Sequence, residues 1–198
     1  MARPAKFTGD QILDATLDLI AGGGPAAATM AAIADRVGAP VGSLYHRFRS
    51  RDLLLAHLWI RTVRRFQRGY IAALADDDID AAAINATLHP IRWARAHLDE
   101  IRVLLLHRRE DLAARWPEEL GEELARLNDD VEAAMLDHVR RRYGAVDDEH
   151  VRRLTFALID LPYAAMRRHV AAGEPPPAVV EDLVVTACRC VLAGDRSD

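Results

Sequence analysis

Apolar residues recur along this chain with the 3.6-residue period of amphipathic helices. No stretch alternates between apolar and polar positions with turn signals on both sides, as a half-buried strand would. The first periodic segment runs from about Thr8 to Ala21, with Ile12, Ala15, Leu19 and Ile20 inward, and ends in the run Gly22-Gly23-Gly24-Pro25. Thr29 is a good N-cap for the next segment, in which Ile33, Ala34 and Val37 form one stripe. Gly38 can take the positive φ that closes a helix. Pro40 suits the first turn of a third helix, where its missing N–H costs nothing. There Leu44 and Phe48 turn inward, and Gly42, Ser43, Tyr45 and His46 point elsewhere. Ser50 caps a long fourth helix carrying Leu54, Leu55, Leu58, Trp59, Val63, Phe66 and Tyr70. It breaks at Asp76-Asp77-Asp78.

Five more periodic segments follow. Ile79 to about His97 is expected to kink at Pro90. Asp99 to Arg109 forms a short helix, and Pro117 to about Tyr143 runs in one piece until Gly144. A helix from about Glu149 to Ala172 contains Pro162. The last, about Ala178 to Ala193, follows a rigid Pro175-Pro176-Pro177 turn. The pattern predicts an all-α chain of about nine helices. The expected division is an N-terminal three-helix domain at residues 1–49 and a larger helical bundle at residues 50–198.

Two short helices joined by a tight Gly turn, with small residues at the front of the second, have the geometry of a helix-turn-helix. Such a unit lays its second helix in the DNA major groove. The stretch from Phe7 to Leu55 resembles the DNA-binding domain of the TetR/AcrR family of bacterial repressors. The matching residues are Ile12-Leu13, Ala15, Gly24, Thr29, Ile33-Ala34, Gly38, Gly42, Leu44-Tyr45, Phe48 and Ser50-Arg51-Asp52-Leu53. The resemblance implies that Thr29 and Tyr45 bind phosphates and that Lys6 reaches the backbone or the adjacent minor groove. Arg51 stands where the family usually has a phosphate-binding Lys. Val41, Gly42, Ser43 and His46 would face base edges, with Val41 suited to a thymine methyl and Ser43 to several bases. Two positions depart from the family pattern: Pro40 replaces the usual Ser, and Val41 stands where many members are polar or basic.

Charge fits a DNA-binding head. Up to Arg68 there are ten basic and five acidic residues, a balance of +5. With a whole-chain charge of −4, the remainder carries −9. The 198 residues are 51% hydrophobic, enough for a sizeable core, yet no apolar run is long enough to span a bilayer. The N-terminus lacks a signal-peptide core, so a cytoplasmic protein is expected. Cys188 and Cys190, two apart on a helix, point in different directions and are expected to be free thiols.

The aromatic residues beyond the head are Trp59, Phe66, Tyr70, Trp93, Trp116, Phe156 and Tyr163, and they are candidates for a ligand pocket. His97, His107 and Asp160 could add polarity. Taken singly, each aromatic is more simply read as plain core. The last helix is apolar over more than one face, and the helix before it is rich in leucine and alanine. A fully buried core helix would account for this. The resemblance implies instead a four-helix dimer interface formed by Leu154, Leu158, Leu161, Ala165, Val180, Leu183, Val184, Ala187 and Val191.

No His-Glu-x-x-His, Cys-x-x-Cys or Gly-x-Ser-x-Gly occurs, and the eight histidines lack metal spacing. Neither enzymatic activity nor a cofactor or metal is expected. The resemblance implies a homodimeric regulator, a repressor, that binds a near-palindromic double-stranded operator and is released by a small apolar or aromatic effector. The alternative is a helical small-molecule-binding protein or enzyme whose head has lost DNA binding.

Overall fold

The computed structural model describes residues 7–193. Among them every regular element is helical. The head comprises α1 (Gly9–Gly23), α2 (Met30–Val37) and α3 (Val41–Arg47), with a 3-10 turn at Pro25–Ala27. The body comprises α4 (Arg51–Leu74), α5 (Ile79–Ala96), α6 (Leu98–Leu104), α7 (Arg109–Arg115), α8 (Pro117–Ala125) and α9 (Asp129–Tyr143). It ends with α10 (Asp148–Thr155), α11 (Leu161–Ala171) and α12 (Val179–Ala193). The all-α expectation holds.

Local chemistry sets the helix ends. Thr8 and Gln11 form a capping box on α1: each side chain bonds the other's backbone N–H, at 3.2 and 2.8 Å. Thr29 and Ser50 each accept a first-turn N–H at 3.1 Å. Gly38, at φ 71°, closes α2 in the left-handed conformation that a residue with a Cβ adopts only at a cost.

Three departures from the sequence pattern have packing causes. The segment expected as one helix from Pro117 to Tyr143 is two, broken at 126–128. Leu120, Leu124 and Leu127 pack toward the head, whereas Val131, Met135 and Val139 pack into the far end of the body. One straight helix could not serve both cores. Secondly, a short helix, α7, stands in the stretch left between two helices, because Leu112 is drawn into the head-side core. Thirdly, the helix that contains Pro162 is continuous, as expected, but not regular throughout. The Leu161 N–H reaches the Phe156 carbonyl, five residues back, and Phe156–Asp160 forms a π turn that joins α10 and α11 into one rod. Proline has no N–H for the carbonyl four residues before it, so a locally widened turn absorbs the mismatch.

Helix α4 is the axis of the molecule. Its first half completes the head's core: Leu54, Ala56 and Leu58 are wholly buried with Ile33, Leu44, Leu120 and Leu124. Its second half faces α5 and α9 through Phe66, Tyr70 and Leu74. The packed core is therefore continuous across the junction at residue 50. Surface ion pairs cross the same junction, Arg49–Glu119 at 3.4 Å and Arg61–Asp14 at 2.8 Å. Pairs of this kind contribute little alone.

Candidate DNA-binding face and body cavity

Helix α3 is held by one residue and shows the rest. Leu44 is completely buried, while Val41, Gly42, Ser43, Tyr45 and His46 are all exposed. Tyr45 is 50% exposed, unusual for a large ring in a well-packed domain. Nothing lies within 4 Å of the space a Cβ on Gly42 would occupy. The face is thus a ridge of small residues flanked by an aromatic hydroxyl and an imidazole. Pro40 is the N-cap residue of α3 and offers no side-chain oxygen, but the Ser43 N–H bonds the Pro40 carbonyl at 2.9 Å. Thr29 uses its hydroxyl on the Ala32 N–H, at the start of α2.

Arg51 sits differently from what the family pattern implies. Its Nε donates to the Ala28 carbonyl at 2.7 Å, and a terminal nitrogen donates to the Pro25 carbonyl. Its guanidinium closes the turn between α1 and α2 instead of standing free. Lys6 lies outside the described residues.

The body contains a cavity of about 670 Å³ between α4, α6, α9 and the α10–α11 rod. Of the seven candidate aromatics, Trp59, Phe66, Tyr70 and Tyr163 line it. Trp93 stands one row behind, edge-on to Phe66 at 5.5 Å. Trp116 lies outside the cavity under the Arg115 guanidinium, and Phe156 is half exposed on the outer surface. His97, His107 and Asp160 are not in the wall. Pro90, inside the continuous α5, lines the cavity.

The polar groups in the wall are ones the aromatic pattern did not point to: Gln67, Asn128, Glu132 and Thr155. Gln67 donates to the Asn128 side-chain oxygen at 3.0 Å. That pair bridges α4 to the break between α8 and α9. Tyr70 donates to the Met135 sulfur at 3.3 Å, and burial pushes its phenol well up from the ordinary value. Behind the wall, His89 packs against Phe66 at 4.9 Å and lies 2.9 Å from the Phe66 carbonyl. Burial lowers its pKa despite that bond. A Cβ on Gly69 would come within 2.4 Å of the His89 ring, so glycine is needed there for α4 and α5 to approach.

On the last helices, the residues expected at a dimer interface divide in two. Leu154, Leu158, Val180 and Val184 are buried within the subunit's own core. Leu161, Ala165, Ala187 and Val191 are half buried. Leu183 is 62% exposed, and the outward apolar surface around it adds Phe156 and Val179. Counting apolar residues on the helical wheel could not separate these rows, because both sides of α12 are apolar. Among the described residues no group of His, Cys, Asp and Glu could hold a metal ion, and no helix is long and apolar enough to cross a membrane.

Residues 12–58 match the family described as bacterial regulatory proteins, tetR family. No curated protein matches the chain significantly. Solved structures match nearly the whole length at low identity. A transcriptional regulator from Rhodococcus sp. Rha1 superposes with a TM-score of 0.67 at 18% identity, covering 95% of this chain and 97% of the other. The fatty acid degradation regulator FadR from Bacillus halodurans gives 0.65 at 15%, covering 94% and 99%. The ketosteroid transcriptional regulator KstR2 of Mycobacterium tuberculosis gives 0.63 at 17%, covering 98% and 97%. The head, residues 12–58, thus matches the tetR family, and over its whole length the chain shares the fold of these solved structures.

Proposed function

We propose that the protein is a cytoplasmic, homodimeric repressor whose operator binding is released by a small, largely apolar effector. The observation that carries this reading is the face of α3: Leu44 is anchored in the core and the five residues around it are turned to solvent. Two such helices, one per subunit, would enter successive major grooves of a near-palindromic site. Tyr45 and Thr29 would hold phosphates, Lys6 would reach the DNA backbone or the adjacent minor groove, and Val41, Gly42, Ser43 and His46 would meet base edges. The subunits would associate through the outer surface of the α10–α11 rod and α12, centred on Leu183.

Helix α4 would carry the response. It begins beneath α3 and supplies Trp59, Phe66, Gln67 and Tyr70 to the cavity wall. An effector that fits the cavity better in one position of α4 would favour dimers whose α3 helices no longer match the half-site spacing. An effector that binds both arrangements equally would release nothing.

The test is binding to the DNA upstream of the protein's own gene, read by fluorescence anisotropy across a salt series, with sedimentation in parallel. Tyr45→Phe should weaken binding on every sequence, and Ser43→Ala should change preference at one base position. Leu183→Glu should shift the protein toward monomer and weaken operator binding with it. Equal affinity for upstream and random DNA, or a wild-type monomer at micromolar concentration, would overturn the reading.

A further inference from the structure

The charge of the cavity wall is as informative as its shape. None of the residues lining it is Arg, Lys or His, and its one ionisable acid is Glu132. Three other carboxylates of the body, by contrast, are held by arginine: Glu100 lies 3.0 Å from Arg65, Glu123 2.7 Å from Arg64, and Glu181 2.6 Å from Arg95. Glu132 has no such partner. Its helical neighbours three and four residues away are Asp129, Asn128, Met135 and Leu136, none of them basic. It stands exposed at the cavity's edge; Trp59, Phe66 and Tyr70 line the interior, and Tyr163 is an exposed part of the wall.

We propose that this cavity takes a lipophilic amine: an apolar, ring-bearing body with a protonated nitrogen held beside Glu132. The proposal rests on the reading of the cavity as the effector site. A carboxylate or phosphate carried into this wall would lose its water with no cation to replace it, and would meet the charge of Glu132. An ammonium group gains from the carboxylate and from the negative faces of the aromatic rings. The Gln67–Asn128 pair leaves the Gln67 carbonyl oxygen as acceptor and the Asn128 amide N–H groups as donors to orient a polar substituent. The head and the cavity thus select opposite charges in their partners, with the polyanion bound at one end and the cation at the other.

The test uses three probes with one body and different charge: 4-butylbenzylamine, 4-butylbenzyl alcohol and 4-butylbenzoate. Binding is read by tryptophan fluorescence, because Trp59 lies in the wall. The amine is expected to bind most tightly and the benzoate at least about tenfold more weakly. Glu132→Gln should weaken the amine about fivefold, leave the alcohol unchanged and improve the benzoate. Leu136→Trp, which places a large side chain at the cavity's edge, should weaken all three. Binding in the order benzoate, alcohol, amine would overturn the charge preference and leave the cavity reading intact, as would an equal loss for all three in Glu132→Gln. If no probe binds, or Leu136→Trp changes nothing, the cavity is not the effector site and both readings fall.

Discussion

The head and the body meet their partners in opposite ways. The head presents residues consecutive in sequence on the outside of a seven-residue helix, with one leucine as anchor. The body collects residues from Trp59 to Met166 around an interior space. A surface ridge needs only that its helix be held still. A cavity needs several helices to stop short of one another, against the tendency of apolar side chains to fill space. Yet the two regions are not independent, since α4 is the floor of one and a wall of the other.

The strongest way to break this comparison is to ask whether the head melts alone. Leu54 is wholly buried where the head's core meets α8. Leu54→Ala should cost about 3 kcal/mol and lower a single thermal transition seen equally by probes in both regions. Two transitions, with only one displaced, would mean that the head is a separate unit and that the shared core transmits nothing.

The next effect belongs to the body. His138 is completely buried on α9, and neither ring nitrogen has a hydrogen-bond partner. Burial lowers its pKa to about 4. Arg142 and Arg141 push in the same direction, and Asp137 and Asp80 oppose them. Above pH 6.5 the imidazole is neutral both folded and unfolded, and stability is unaffected. Below that, the unfolded chain takes up a proton the folded chain refuses, so stability declines by about 3 kcal/mol by pH 4. His57, His89 and His107, also lowered by burial, act with the same sign. Urea midpoints at pH 7 and pH 4.5 should therefore differ less in His138→Leu than in the wild type. An unchanged difference would show that His138 becomes solvated before it titrates.

The smallest effect on stability sharpens the contrast most. Gly42 is exposed, and an added Cβ would meet nothing. Gly42→Ala should stabilise α3 by about 0.5 kcal/mol, since alanine loses less backbone entropy in a helix. It should nonetheless weaken operator binding about tenfold or more, if the backbone there approaches the bases. A variant that is more stable and binds DNA as before would move the contact away from the front of α3.

How far the sequence could be read differs between the two regions for the same reason. The caps at Thr8, Thr29 and Ser50, the left-handed Gly38 and the outward face of α3 are all settled within four residues of chain. They depend on hydrogen bonds and a helical period that the sequence displays directly. Arg51 is the exception in the head. The same guanidinium could serve DNA or a turn, and only the position of the Ala28 and Pro25 carbonyls directs it to the turn. In the body, aromatic content pointed toward the cavity, but Trp93, Trp116 and Phe156 are directed elsewhere, and Gln67, Asn128 and Glu132 carried no signal. Leu183 and Val184 are adjacent and equally apolar, yet one is exposed and the other buried.

By itself, then, the sequence determined the all-helical character, the caps at Thr29 and Ser50 and the exposed face of the helix-turn-helix, because these follow from short-range hydrogen bonding and from which side of each helix is apolar. Only the tertiary structure decided where the 117–143 segment breaks, which rings meet a cavity and which outer row α12 leaves uncovered. Those outcomes depend on which helices face one another, and apolar burial, being non-directional, does not encode that choice in any one segment.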